Sequence, residues 1–301
     1  MEACLLSCES LKTTRRTGLD GRHFAIARDF CGRGLSNSFF ANAGRSFQPS
    51  CRSRSSPACE CRRENSAGGP RRILLLLESK ALGQPDAFDR VLNNVLSRYL
   101  NEDRGLQDSS KERRIPLFLL NDIARYWRIM VVDFAYKQSA RGNRGYALRS
   151  IKLGLSRKLI FVSGLLSCFS CRLDFSDEQW SEISRTGNRQ PLIAHLRAVL
   201  KMTPLEIVAT RLANYESALP ISKQLFDAYD KFIGLLADNT PTAGGKAPRE
   251  HLGDLSVEGL ESDALFQEAR RIRREFSNAL SDLFLKPGIE LYDLTVQYGV
   301  F

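Results

Sequence analysis

Long apolar runs are missing from this sequence. The longest uncharged one, Leu159 to Phe169, falls well short of the roughly 20 residues that cross a bilayer, so no membrane span is expected. Cysteine is scarce where a fold would need it. Cys4, Cys8, Cys31, Cys51, Cys59 and Cys61 precede residue 72, and only Cys168 and Cys171 follow. A disulfide-stapled scaffold is therefore excluded, and the body reads as a reduced, cytoplasmic protein. The early cysteines have 3, 22, 19, 7 and 1 residues between them, whereas a structural zinc site wants two close pairs. Histidine is rarer still: His23, His195 and His251 are scattered. No Gly-x-Gly-x-x-Gly, phosphate-loop or His-Glu-x-x-His pattern occurs, and no nucleophile motif starts a Ser-His-Asp reading. Hydrolase and metalloenzyme readings have no footing here. The absence of a fixed-period repeat argues against a solenoid.

What is present is enough for a real core. The chain has 301 residues, 43% of them apolar and 26% charged, which suits one large domain or two ordinary ones. The net charge of +10 is unevenly placed. Thirteen Lys and Arg against six Asp and Glu put +7 of it in the first 72 residues, leaving +3 for the 229 that follow. The high pI is thus a property of the first quarter and poor support for nucleic-acid binding by the folded body. That first quarter shows no sustained period, being dominated by Arg, Ser, Gly and Cys. A disordered basic arm and an out-of-frame translation both explain the abrupt change of texture near residue 73.

From there the pattern is legible. Ile73 to Leu77, a five-residue apolar run between charged residues, predicts a buried strand. Pro85 and Asp86 open a helix with the stripe Phe88, Val91, Leu92, Val95, Leu96 and Tyr99. Pro116 starts a long helix to about Ser139, which the turn Arg141 to Gly145 ends. The next helix runs from about Tyr146 to Phe169, with Leu148, Ile151, Leu155, Leu159, Val162, Leu166 and Phe169 at steps of three and four. Further helices are expected at about 177 to 186, 190 to 201, 204 to 216, 221 to 237 and 261 to 284, with an exposed loop at Asn239 to Pro248. The Arg270, Arg271, Arg273, Arg274 cluster reads as a solvated face paired with Glu268 and Glu275. Cys168 and Cys171 form a C-x-x-C that closes an apolar helix, which reads as two core thiols.

Chemistry concentrates in the two central helices. The first, over 117 to 139, carries the stripe Leu120, Ile123, Trp127, Met130 and Phe134, and Phe118, Ile129 and Val132 add apolar surface elsewhere. Such a helix is expected to be buried on several sides, so its charges must be paired or line a cleft. Asp122, Tyr126, Asp133 and Lys137 share one face, and Arg125 sits on the adjoining face between Asn121 and Arg128. The second helix presents Arg149, Lys152 and Ser156 on one side, with Arg157 and Lys158 just round from it. Packed antiparallel, the pair can bring Asp122 or Asp133 towards those cations. Two readings stand: a polar cleft whose Arg and Lys groups hold a phosphate or nucleotide, and an internal salt-bridge network that fixes helix register.

The strings IPLFLLNDIARYWRIMVVDFAYKQ (115 to 138) and YALRSIKLGLSRKLIFVSGLL (146 to 166) resemble the helical region behind the catalytic part of a group of bacterial nucleotidyltransferase-superfamily proteins. The catalytic part of that group is similar to the amino-terminal domain of PII-protein uridylyltransferases. RILLLLES (72 to 79) and the terminal QYGVF fit the same likeness, which spans about residues 72 to 301. The resemblance implies an α/β nucleotidyltransferase domain backed by a helical bundle, moving a nucleoside monophosphate from a triphosphate to an acceptor. It also implies Mg²⁺ held by a Gly-Ser turn and an Asp-x-Asp pair about ten residues on. This chain departs at that place: Asp-x-Asp occurs nowhere, only Asp20 and Asp29 precede residue 72, and Gly34, Leu35, Ser36 is a poor stand-in for the turn.

The expectation is therefore a mainly α protein: a helical bundle over 115 to 301, a small remnant of an α/β nucleotidyltransferase domain over 72 to 114, and an arm over 1 to 71. As written the chain is not expected to transfer nucleotides, and no catalytic residue or metal ligand is assigned to it. Candidate substrate or phosphate contacts are Arg125, Arg128, Asp133, Lys137, Arg149, Lys152 and Arg157. The expected partner is a nucleotide or an acceptor of unknown kind, with no membrane. The alternative is a non-catalytic helical binding or regulatory module. A nucleic-acid binder using the basic arm is a weaker third reading and predicts affinity that falls steeply with salt.

Overall fold

The computed structural model describes residues 69–103, 106, 114–242 and 244–299. The arm expected over 1 to 71 lies outside them except for its last three residues. The chain divides into two compact units, one holding the described residues up to Phe276 and the other those from Ser277.

Among the described residues the structure is helical and contains no strand. The strand expected at 73 to 77 is a helix, α1, over 69–78. Leucine is among the better helix formers, and the buried positions Ile73, Leu76 and Leu77 fall at steps of three and one while Leu74 stays exposed. That is one face of a helix, which a short apolar run does not distinguish from a strand.

In the first unit α2 (Pro85–Glu102), α3 (Leu117–Ala140) and α4 (Tyr146–Lys152) follow. A π turn, Leu153–Arg157, carries α4 directly into α5 (Lys158–Leu173). Then come α6 (Asp177–Thr186), α7 (Gln190–Leu200), α8 (Pro204–Leu212), α9 (Leu219–Ala237), α10 (Pro248–Asp254) and α11 (Ala264–Leu285). Capping boxes set two of the starts: Ser176 with Gln179 opens α6, and Thr203 with Glu206 opens α8. The second unit holds the end of α11 and α12 (Glu290–Tyr298). Neither α10 nor α12 was marked by the apolar pattern; both are short, seven and nine residues.

The centre of the first unit is α5. Every residue from Val162 to Cys171 is buried, and α3, α7 and α8 pack around it. Gly164 allows the closest approach: a Cβ there would stand 3.0 Å from Ile123 Cγ2 and 3.1 Å from Leu77 Cδ1, where α1, α3 and α5 meet. Ser163, Ser167 and Ser170 satisfy their hydroxyls on the carbonyls of Ile160, Ser163 and Ser167 within the same helix. The continuous helix Tyr146–Leu173 has 28 residues and a stretch of mean hydropathy 1.3, so by length and composition it matches a bilayer span. The count of uncharged residues alone overlooked this. Of that stretch 72% is buried by the protein's own elements, as in a core helix.

α3 and the helix after it run antiparallel, as Trp127 stacking on Phe161 (centroids 5.5 Å apart) and Phe134 against Tyr146 (6.0 Å) require. The turn between them holds Gly142, Asn143 and Gly145 at positive φ. Burial on several sides, however, reaches only the first half of α3. Leu119, Leu120, Ile123 and Ala124 are buried, whereas Ile129, Val132 and Tyr136 are 45%, 60% and 72% exposed. In the second half Trp127, Phe134 and Gln138 meet the following helix or the turn before it, while Ile129, Val132 and Tyr136 stay exposed.

Candidate functional site

Two polar clusters join α1 to α3. In the first, Asp122 lies almost fully buried beside the first turn of α1. The Tyr99 hydroxyl donates to its Oδ2 at 2.7 Å and the Arg72 guanidinium donates to the same oxygen at 3.3 Å. Arg72 Nε also donates to the Tyr99 oxygen at 3.1 Å, with its guanidinium carbon 5.2 Å from the ring centroid. Burial first, and then its place beside Asp122, pushes the Tyr99 phenol well above its ordinary range. At Gly69 a Cβ would stand 3.1 Å from Asp122 Oδ2, so the start of the helix approaches the carboxylate closely. A negative charge there also suits the positive end of α1.

One turn further along α3, Tyr126 donates to Glu78 Oε1, and the Arg157 guanidinium binds Glu78 Oε2. Burial, followed by the adjacent Glu78, raises the Tyr126 phenol as well. Asp122 and Tyr126, placed on one face by the sequence, thus both serve as seats for α1. Their partners Arg72, Glu78 and Tyr99 carried no local signal, because they lie 23 to 50 residues away in sequence.

The candidate contacts separate into four places. Arg125 is exposed and reaches Asp122 Oδ1 at 3.6 Å; Asp133 and Lys137 pair with each other at 2.7 Å on the open half of α3. Neither Asp122 nor Asp133 meets the cations of the following helix, and the acid that does so is Glu78. Arg128 is half-buried and has no ion-pair partner among the described residues. Arg149 turns back on the turn before α4, donating to Gln138 Oε1 at 3.2 Å and to the carbonyls of Gly145 and Arg144.

Lys152 precedes the π turn and Arg157 ends it, and α10, packed on α4, brings Arg249 near Lys152. Burial first, then the fields of Arg249 and Arg157, holds the Lys152 ammonium below its ordinary range. Among the described residues Lys152 has no acidic partner, and neither have Arg249 on α10 or Arg141 and Arg144 in the turn before α4. The result is a cationic surface at a π turn, a geometry that recurs at functional sites. Arg249 follows Pro248 in a short helix and was not singled out by the sequence.

Elsewhere a serine, a histidine and an aspartate do come together. Ser170 Oγ lies 2.8 Å from His195 Nε2, and Asp174 Oδ2 lies 3.6 Å from that same nitrogen. A charge-transfer triad needs the base to face its nucleophile and its carboxylate through opposite ring nitrogens, so this is not one. Ser170 spends its proton on the Ser167 carbonyl at 2.8 Å, and Asp174 is taken by Arg211. Burial holds His195 below its usual range, with Asp174 opposing the shift and Arg211 adding to it.

Cys168 and Cys171 are both buried free thiols, and burial raises both above the ordinary thiol range. No group of three metal-ligating side chains occurs among the described residues. A shallow cleft lined by Asp89, Arg90, Asn93, Asn94 and Arg197 holds none of the candidate residues. No protein-family model, curated protein or solved structure matches the chain.

Proposed function

We propose that the protein is a helical binding module for a phosphate-bearing ligand of the nucleotide class, held by Lys152, Arg157 and Arg249. The observation that carries this reading is a partly buried lysine with no acidic partner among the described residues and two arginines near it, of which only Arg157 is balanced, by Glu78. Crowding Lys152 and Arg249 beside Arg157, whose charge alone meets an acid, is unfavourable in the empty protein, and a phosphate dianion removes that cost while accepting several charge-assisted hydrogen bonds. The resemblance to nucleotidyltransferases supplies nucleotide as the ligand class and a cytoplasmic, bacterial setting. It does not supply the reaction. The Mg²⁺ that the family would use finds no Asp-x-Asp in the sequence and no cluster of carboxylates among the described residues. The segment 72 to 114, where a remnant of the catalytic domain was expected, is built of helices in its described part.

Titration calorimetry of the full chain with ATP, AMP and inorganic phosphate tests the reading. Binding of ATP that weakens at least about tenfold in Lys152→Gln/Arg249→Gln, with the circular dichroism unchanged, is the expected result. No heat with any of the three ligands, or binding indifferent to both substitutions, overturns it. Chelator-sensitive incorporation of labelled nucleotide by the purified chain would refute the non-catalytic part alone.

A further inference from the structure

The open half of α3 carries an apolar surface that the phosphate reading does not use. Of the twelve large hydrophobic side chains exposed among the described residues, five lie on this one helix. Ile129, Val132 and Tyr136 follow at steps of three and four, so they form a single stripe running to the end of the helix. Charges flank it unevenly: Arg128 stands on one side and Asp133 on the other. Among the described residues Arg128 has no ion-pair partner, and Asp133 pairs with Lys137 of its own helix.

We propose that this stripe is the contact between two copies of the chain, with α3 of one lying parallel to α3 of the other. The register follows from the spacing. With Ile129, Val132 and Tyr136 at the seam, they occupy alternate core positions of a two-stranded helix pair. Arg128 and Asp133 then fall on opposite flanks, five residues apart. In a parallel pair those flanking positions face each other across the seam, one residue of each copy against the other's residue five further on. Arg128 of each copy therefore meets Asp133 of its mate, twice, and the free guanidinium gains its missing partner. An antiparallel pair would set Arg128 against Arg128 instead. The two-fold axis makes the contact self-complementary, so assembly closes at the dimer. Three seam residues bury less than the roughly 800 Å² per partner of a stable interface, which makes the dimer reversible and dependent on concentration.

Sedimentation equilibrium of the full chain from about 1 to about 200 μM reads this directly. The expected weight-average mass climbs from 33.9 kDa towards twice that value. Val132→Glu should hold the mass at the monomer with the circular dichroism of the parent. Arg128→Asp and Asp133→Arg should each weaken association by about tenfold, since each sets like charges across both flanks. The double variant Arg128→Asp/Asp133→Arg, or an equimolar mixture of the two single variants, should restore it. A monomer over the whole range overturns the proposal and leaves the stripe to a different protein. A dimer that survives Val132→Glu, or a charge-swapped double variant no better than its singles, overturns it equally.

Discussion

Replacing Asp122 by Ala probes the junction of α1 with α3. The carboxylate is buried, accepts from the Tyr99 hydroxyl and the Arg72 guanidinium, and pairs with Arg125 at its rim. Removing it leaves a buried phenol without its acceptor and a partly buried guanidinium without its counter-charge. Removing one member of a buried pair costs about 3 to 5 kcal/mol. Arg72 and Arg125 both reach solvent and recover part of that, so the expected loss is about 3 kcal/mol. Asp122→Asn, which still accepts from Tyr99 but carries no charge, should lose about half as much. Arg125→Met touches the same carboxylate from the exposed side and should cost less than about 1 kcal/mol, as surface pairs do. Urea unfolding followed by circular dichroism, with unchanged slopes, measures all three. If Asp122→Ala costs under about 1 kcal/mol, or Arg125→Met costs as much as Asp122→Ala, the assignment of Asp122 as the seat of α1 is wrong.

Two further predictions concern groups displaced from their usual titration ranges. His195 is held below its ordinary value of 6.5 by burial, so the unfolded chain takes up a proton that the folded one refuses. Stability is then highest above that value and falls as pH drops through it, by at most about 1.4 kcal/mol per unit, until the folded imidazole is itself protonated. His195→Gln should flatten the unfolding free energy between about pH 7 and about pH 5, and equal slopes in the two proteins would exclude this role. For Cys168 and Cys171, native alkylation followed by peptide mass analysis should leave the peptide carrying both unlabelled, with labelling only in denaturant. Rapid native labelling would contradict their burial.

Much of the helical layout was legible because helices of ten residues or more repeat their apolar positions several times. The helix expected over 177 to 186 is observed as Asp177–Thr186, and the one expected to end near Ser139 ends at Ala140. Where the signal was short it failed: Ile73 to Leu77 gave too few positions to separate one helical face from a buried strand, and the two shortest late helices left no mark. The stripe on α3 shows a second limit. Ile129 and Val132 were read as apolar surface that must be buried, but the pattern does not say whether a neighbour covers them, and among the described residues both stay exposed.

The same division holds for the polar residues. Spacing alone placed Asp122 and Tyr126 on one helix face, since the helical repeat is a local property. Which cations and acids meet there was decided by the tertiary structure, because Arg72, Glu78 and Tyr99 arrive from other helices. The free cations behave alike. That Lys152 and Arg157 sit near each other follows from their separation, but that Arg249 approaches Lys152 depends on α10 packing against α4, and that Glu78 takes Arg157 depends on where α1 lies. The sequence by itself determined where the longer helices of this chain lie and which of their faces are apolar, because only they repeat the pattern often enough. Only the fold decided which charges cancel, because their partners come from elements distant in sequence.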